Sequence, residues 1–240
     1  VNAGLDARYR ITSNVTLSAT INPDFGQVEV DPAIINLSAF ETRLEEKRPF
    51  FVEGASNFRF APSVMGMGAA TGLLYSRRIG RVPQLGVPGD LSDVPGTTGI
   101  LGAAKISGRT RSGWSVGILD AVTRREEARY LNVDSEGDSI FGRTGVEPAS
   151  NYFVARLRRD LRAGQTVLGG MFTALNRDLD TDAMRARLHS AAYNGGFDFR
   201  HGDRAHAHPE HPGVPRIPAR DRRPAHRQPG LIEAEVDLLG

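Results

Sequence analysis

The chain has no cysteine among its 240 residues, which excludes disulfides and cysteine-ligated metals. It has no run of about 18 apolar residues, which excludes a transmembrane helix. A membrane protein is not thereby excluded. Barrel strands are about 10 residues long and apolar on one side only, so hydropathy passes over them. Aromatic residues make up 7% of the chain, with one Trp, too few for a sugar-binding aromatic platform. The net charge of +2 is too small to argue for nucleic acid. The pI near 9.2 is raised by a basic tail. No Met stands at the start: the chain begins at Val1 and is expected to be a fragment or a processed product.

What the chain does have is period-two alternation, the mark of strands with one apolar and one polar face. Residues 3–11 put Leu5, Ala7, Tyr9 and Ile11 opposite Asp6, Arg8 and Arg10. Residues 15–21 repeat the pattern after a three-residue turn, so the two segments predict a hairpin. A second hairpin is predicted over 100–109 and 113–123, with Trp114, Val116 and Ile118 sharing a face. A third is predicted over 151–161 and 166–176, and a last strand over 191–199. Residues 73–81 also alternate, Leu73, Tyr75, Arg77 and Ile79 against Leu74, Ser76 and Arg78, and predict one more strand.

Between these pairs, 82–98 and 124–149 read as long polar loops, and 179–187 as loop or one helical turn. Short turns within pairs and long connections between them are the habit of outer-membrane barrels. Arg8, Arg10, Lys105, Arg109, Arg156 and Arg158 lie at or near mid-strand, where a polar lumen would accept them. The fold class expected is all-β: part of an antiparallel up-and-down outer-membrane-type β-barrel of about seven or eight strands, filling residues 1–200.

Residues 22–54 interrupt the strands. They hold seven acidic residues against three basic ones. Ser38-Ala39-Phe40-Glu41 has capping-box spacing, which predicts a helix over 39–47 ended by Pro49. The stretch therefore reads as a plug-like insertion. Its candidate ion-pairing residues are Asp24, Glu29, Asp31, Glu41, Glu45, Glu46, Lys47, Arg48 and Glu53, facing Arg77, Arg78 and Arg81.

From His201 onward no periodicity survives, and five of the six histidines gather with prolines and arginines. His206, His208 and His211 have no fixed geometry for a metal. Residues 201–240 are expected to be disordered and to derive from reading a GC-rich frame out of register.

Three phrases carry a family resemblance: NPDFGQVEVDP (22–32), NLSAFETRLEEKRPFFVEG (36–54) and LLYSRRIGR (73–81). Together they resemble the domain of unknown function family 5916. The resemblance implies an outer-membrane β-barrel domain of a Gram-negative envelope protein, commonly preceded by a family-9-type carbohydrate-binding module that this chain lacks. The partners it implies are outer-membrane lipid and, through that module, carbohydrate.

Three functions follow for comparison. The first is a non-enzymatic barrel acting as channel, secretion route or anchor. The second is a glycoside hydrolase, which needs two carboxyls about 5–9 Å apart. Asp24, Glu29, Asp31 and Glu53 are its candidates, but none sits in a catalytic motif, so no catalytic residue is assigned. Asp24, Glu29 and Asp31 do not have the spacing of a known calcium loop, and neither metal nor cofactor is expected. The third is a soluble sandwich that binds sugars. Strand faces exposed to solvent favour the barrel, and two sheets packed face to face favour the sandwich.

Overall fold

The computed structural model describes residues 4–23, 44–60, 72–133, 137–202 and 234–238. Its strands are β1 (Leu5–Thr12), β2 (Val15–Ile21), β3 (Leu91–Asp93), β4 (Ile100–Arg109), β5 (Trp114–Thr123), β6 (Glu126–Val133), β7 (Ser139–Glu147), β8 (Ala149–Leu161), β9 (Thr166–Asp178), β10 (Ala191–His201) and β11 (Ala234–Leu238). Two short helices join them, α1 (Pro49–Val52) and α2 (Asp182–Arg187). The protein is all-β. Eight strands form one antiparallel sheet in the order β1-β2-β4-β5-β8-β9-β10-β11, and β3-β6-β7 form a second. Among the described residues the large sheet is open, with β1 and β11 at its edges. Of the segment from His201 expected to lack order, residues 203–233 lie outside the described residues, and 234–238 pair with β10.

The three predicted hairpins form where the alternation put them. Turns at 13–14, 110–113 and 162–165 lie on one rim of the sheet, and the connections β2–β4, β5–β8 and β9–β10 lie on the other. Three segments differ from expectation. Residues 124–149 are not a loop: β6 and β7 pair from Glu126 to Ser139, and β3 in the 82–98 stretch joins them. These strands mix polar and apolar residues on both faces, so ladder hydrogen bonds form without the apolar alternation that betrays a half-buried strand.

Residues 73–81 are not a strand. They run into a 3-10 turn at Ser76–Arg78, and Gly80 takes φ +81°. Leu73, Leu74 and Ile79 pack into the core instead of alternating across a sheet.

Residues 44–48 are not helical, and 39–43 lie outside the described residues. Pro49 begins a helix where it was expected to end one. Arg48 before it is extended, with ψ 120°, as the residue before proline prefers. Proline suits a first helical position because its missing N–H would find no partner there anyway. The single turn expected within 179–187 is α2, capped by the Thr181 hydroxyl accepting from the Met184 N–H at 3.2 Å.

The pairing registers decide which residues share a face, since neighbouring side chains in a strand point oppositely. Asp6, Arg8 and Arg10 pair with Thr20, Ser18 and Thr16, which in turn pair with Ala103, Lys105 and Ser107. The same face continues through Ser115, Gly117, Leu119 and Ala121, then Arg158, Arg156, Val154 and Tyr152, then Gly169 and Met171, and ends at Asp198 and Gly196. We call this the inner face. All six strand cations singled out in the sequence lie on it.

The opposite, outer face carries Leu5, Ala7 and Tyr9; Leu17 and Ile106; Trp114, Val116 and Ile118; Leu157, Ala155 and Phe153; Leu168 and Phe172; Tyr193, Phe197 and Phe199. No second sheet covers these side chains among the described residues: Tyr9 is 68% exposed, Phe172 43% and Phe197 71%.

Candidate functional site

The inner face is half polar, yet over β4, β5, β8 and β9 it is the more buried one. Segments 44–60 and 73–79 lie across it. Phe51, Phe58 and Ile79 form the core with Ile100, Ala103, Leu119, Ala121, Val154 and Met171, flanked by Phe50, Phe60 and Tyr152. Two glycines allow this close approach. A Cβ on Gly117 would lie 3.1 Å from the Asn57 carbonyl oxygen and from the Phe58 ring, and one on Gly196 would lie 2.4 Å from the Phe60 ring.

Three wall cations grip the covering segment. Lys105 on β4 is 2% exposed. Its ammonium donates to the carbonyl oxygens of Phe50 and Glu53 and stands 4.8 Å from the Phe50 ring centroid. These carbonyls lie at the C-terminal end of α1, where acceptors lack helical partners and a cation is favoured. Arg156 on β8 is equally buried. Its Nε donates to the Arg59 carbonyl at 3.1 Å, its Nη2 to Asp198 Oδ2 of β10 at 2.8 Å, and its Nη1 to the other oxygen of the same carboxylate. Arg8 of the edge strand forms an ion pair with Glu53.

A fourth cation locks the covering layer to itself. The Arg48 guanidinium meets Glu46 in two parallel hydrogen bonds of 2.8 and 2.7 Å. It also donates to the carbonyls of Ile79 at 2.6 Å and Ser76 at 2.8 Å and lies 4.2 Å from the Phe51 ring centroid. The Ser76 hydroxyl donates to Glu46 at 2.6 Å. The Tyr75 hydroxyl accepts from the Leu44 N–H at 2.9 Å. Burial pushes the Glu46 carboxyl up, but the hydrogen bonds from Arg48 and Ser76 and the Arg48 charge together outweigh it, and the group sits below the ordinary glutamate range.

The sequence candidates are placed as follows. Glu46 and Arg48 pair with each other, and Glu53 pairs with Arg8. Glu45 is exposed and Lys47 half-buried. Arg77 and Arg78 stand in the 3-10 turn of the covering layer, not on a wall strand. The Arg78 carbonyl accepts from the Tyr152 hydroxyl at 3.4 Å. Arg81 holds Thr98 through its carbonyl, which accepts from the threonine N–H at 2.9 Å and hydroxyl at 2.7 Å. Asp24, Glu29, Asp31 and Glu41 lie outside the described residues, as do His206, His208 and His211. Among the described residues no three acidic or histidine side chains gather as a metal site.

Sequence reasoning did not single out Asp198, Ser76 or Tyr75. Asp198 carried a signal, since it alternates with Phe197 and Phe199 and so had to face the cationic side. Ser76 and Tyr75 carried none, because their partners are more than 25 residues away in the chain.

Fold and site together define an all-β protein that, among its described residues, fills much of the polar face of its own open sheet and leaves the apolar face uncovered. The model of a family described as a domain of unknown function, DUF5916, matches residues 1–168, and the chain belongs to that family. No curated protein and no solved structure matches the chain.

Proposed function

We propose that this chain supplies wall strands and an occluding segment to a β-barrel of the Gram-negative outer membrane, closed at rest by its own residues 44–60 and 72–81. The barrel is non-enzymatic and serves as a gated channel, a secretion route or the anchor of a carbohydrate-binding module. One observation carries the reading: the sheet is inverted over its middle strands, with Lys105, Arg156 and small polar residues covered and, among the described residues, an apolar face left bare. A protein folded for water buries the apolar face, because each buried apolar side chain is worth roughly 1.5–3 kcal/mol. An exposed face this extensive marks an interaction surface. Lipid satisfies it, and a plugged lumen satisfies the inner cations. The wall strands β4, β5, β8, β9 and β10 have 10 to 13 residues, enough for the 9–11 needed to span when tilted. Among the candidate glycosidase acids only Glu53 is described, and it is engaged with Arg8.

The test is cell fractionation of the protein expressed from its natural gene, followed by detergent gels of heated and unheated samples. Recovery in the outer membrane with heat-modifiable migration is expected. Soluble recovery without a shift refutes the reading.

A further inference from the structure

The outer face is apolar only over a band, and both borders of that band are built. On β8 the outward residues run Arg159, Leu157, Ala155, Phe153 and Asn151. Arg159 pairs across the ladder with Trp114 on one side and Leu168 on the other, and Leu168 pairs with Phe199. This row lies beside the short turns. At the opposite border the Asn151 amide donates to both oxygens of Asp120, at 3.1 and 3.2 Å. The Tyr193 hydroxyl there donates to the side-chain oxygen of Asn176 at 2.8 Å. Arg159 and Asn151 are eight residues apart, about 27 Å at ~3.4 Å per residue. With a strand tilt of about 40° that becomes ~21 Å along the membrane normal, close to the ~25 Å apolar band of such barrels.

Arg159 is the informative residue. Its guanidinium lies 4.9 Å from the Trp114 ring centroid. Its Nε, like those of Arg81, Arg158 and Arg177, is shielded from solvent with no hydrogen-bond acceptor among the described residues, and of these arginines only Arg159 stands over the Trp114 ring at the border of the apolar band. A shielded donor normally has a partner. Here an amphipathic ring and an arginine with an unmet donor stand together at the edge of an apolar band. Resting on the barrel reading above, the geometry points to a lipid-headgroup site at the short-turn rim. Trp114 lies at the level of the glycerol backbone, and Arg159 takes an anionic lipid phosphate there. The Asp120–Asn151 and Asn176–Tyr193 pairs mark the other interface.

The chain suits a direct test, since Trp114 is its only tryptophan and it has no cysteine. The intact chain is reconstituted in phosphatidylcholine–phosphatidylglycerol vesicles whose acyl chains are brominated either near the glycerol end or near the methyl end. Trp114 emission is read beside a fluorophore on Phe172→Cys, from mid-band. Greater loss of Trp114 emission with shallow bromines, and of the Phe172→Cys signal with deep ones, is expected. With bromine on phosphatidylglycerol alone, Trp114 is expected to lose more emission than with the same fraction on phosphatidylcholine alone, and Arg159→Gln to abolish the difference. Equal loss in the unmodified chain, or Trp114 quenched as deeply as position 172, overturns the headgroup site while leaving the barrel standing. If both positions are quenched by aqueous iodide and neither by bromolipid, the barrel reading itself falls.

Discussion

Lys105→Met tests whether wall cations hold the covering segment in place. The substitution keeps an unbranched stem, with sulfur for one methylene, and removes the ammonium. Two carbonyl acceptors, on Phe50 and Glu53, then lose a charged donor at a site 2% exposed. A hydrogen bond to a charged group contributes about 1.5–3 kcal/mol, and a buried carbonyl left without a donor costs about 1–3 kcal/mol. The cation over the Phe50 ring contributes ~0.5–2 kcal/mol more. These contributions overlap, and methionine regains part of the packing, so a net loss of about 3 kcal/mol is expected. At 1.4 kcal/mol per tenfold, that raises the population with the segment undocked about 100-fold. Amide hydrogen exchange read by mass spectrometry gives the result peptide by peptide. Exchange across 44–60 should rise by about that factor, while β8 and β9 change little, because their ladder does not run through Lys105. Arg8→Gln is the control. Its ion pair with Glu53 is half exposed on both sides and contributes under about 1 kcal/mol. If Lys105→Met changes exchange across 44–60 no more than Arg8→Gln does, the lysine does not hold the segment.

Glu46 makes the junction of 44–48 with 76–79 acid-sensitive. Its folded pKa is below the ordinary value of 4.5, so its contribution is present above that value and is lost as pH falls through the lowered one. Protection of 44–48 should therefore fall below about pH 4.5, and Glu46→Gln should remove that dependence. Asp198→Asn leaves the Arg156 charge buried with half its partners weakened. A loss of about 3 kcal/mol in thermal or denaturant unfolding is expected, and the double substitution with Arg156→Gln should cost less than the two single losses together. Gly196→Ala forces the Phe60 ring to move by driving a methyl to within 2.4 Å of it. Loosening of 55–60 by about 1–3 kcal/mol is expected, read by the same exchange experiment, against no measurable effect from Gly86→Ala, where nothing lies within 4 Å.

The hairpins were legible because two independent signals coincide in them. Leu5, Ala7 and Tyr9 against Asp6, Arg8 and Arg10 fix a period of two, and a three-residue gap before Val15 leaves room for a turn and nothing else. The grouping of Arg8, Lys105 and Arg156 on one face was legible for the same reason, since strand parity alone puts them there. Residues 126–147 were not legible. Glu126, Glu127, Arg129 and Asn132 give β6 no apolar face, so ladder pairing is its main support, and pairing leaves no mark on composition. Residues 73–81 misled in the opposite way. Leu73, Tyr75 and Ile79 are spaced as in a strand, yet no neighbouring strand offers them a ladder. Instead the carbonyls of Ser76 and Ile79 are taken by the Arg48 guanidinium. Pro49 misled because proline both ends and begins helices, and which it does depends on where Arg48 finds its acceptors.

The acids of the 22–54 stretch were expected to meet arginines of the wall, and among the described residues only Glu53 does so. The stronger attachments run the other way: Lys105 and Arg156 bind carbonyl oxygens of Phe50, Glu53 and Arg59, and Arg48 binds those of Ser76 and Ile79. A carbonyl belongs to the path of the chain and not to a side chain, so wall cations of this kind recognise where the backbone runs. That places the constraint on Pro49, which sets the turn of α1, and on the glycines that let it lie close. The exposed side chains of the covering layer, Glu45, Val52 and Ala55 among them, are left outside these attachments. Charge reversal at Glu45 should therefore leave exchange across 44–60 unchanged, while Pro49→Ala, which touches no ion pair, should loosen it. If Glu45→Lys undocks the segment and Pro49→Ala does not, side-chain charge and not backbone path holds the layer in place.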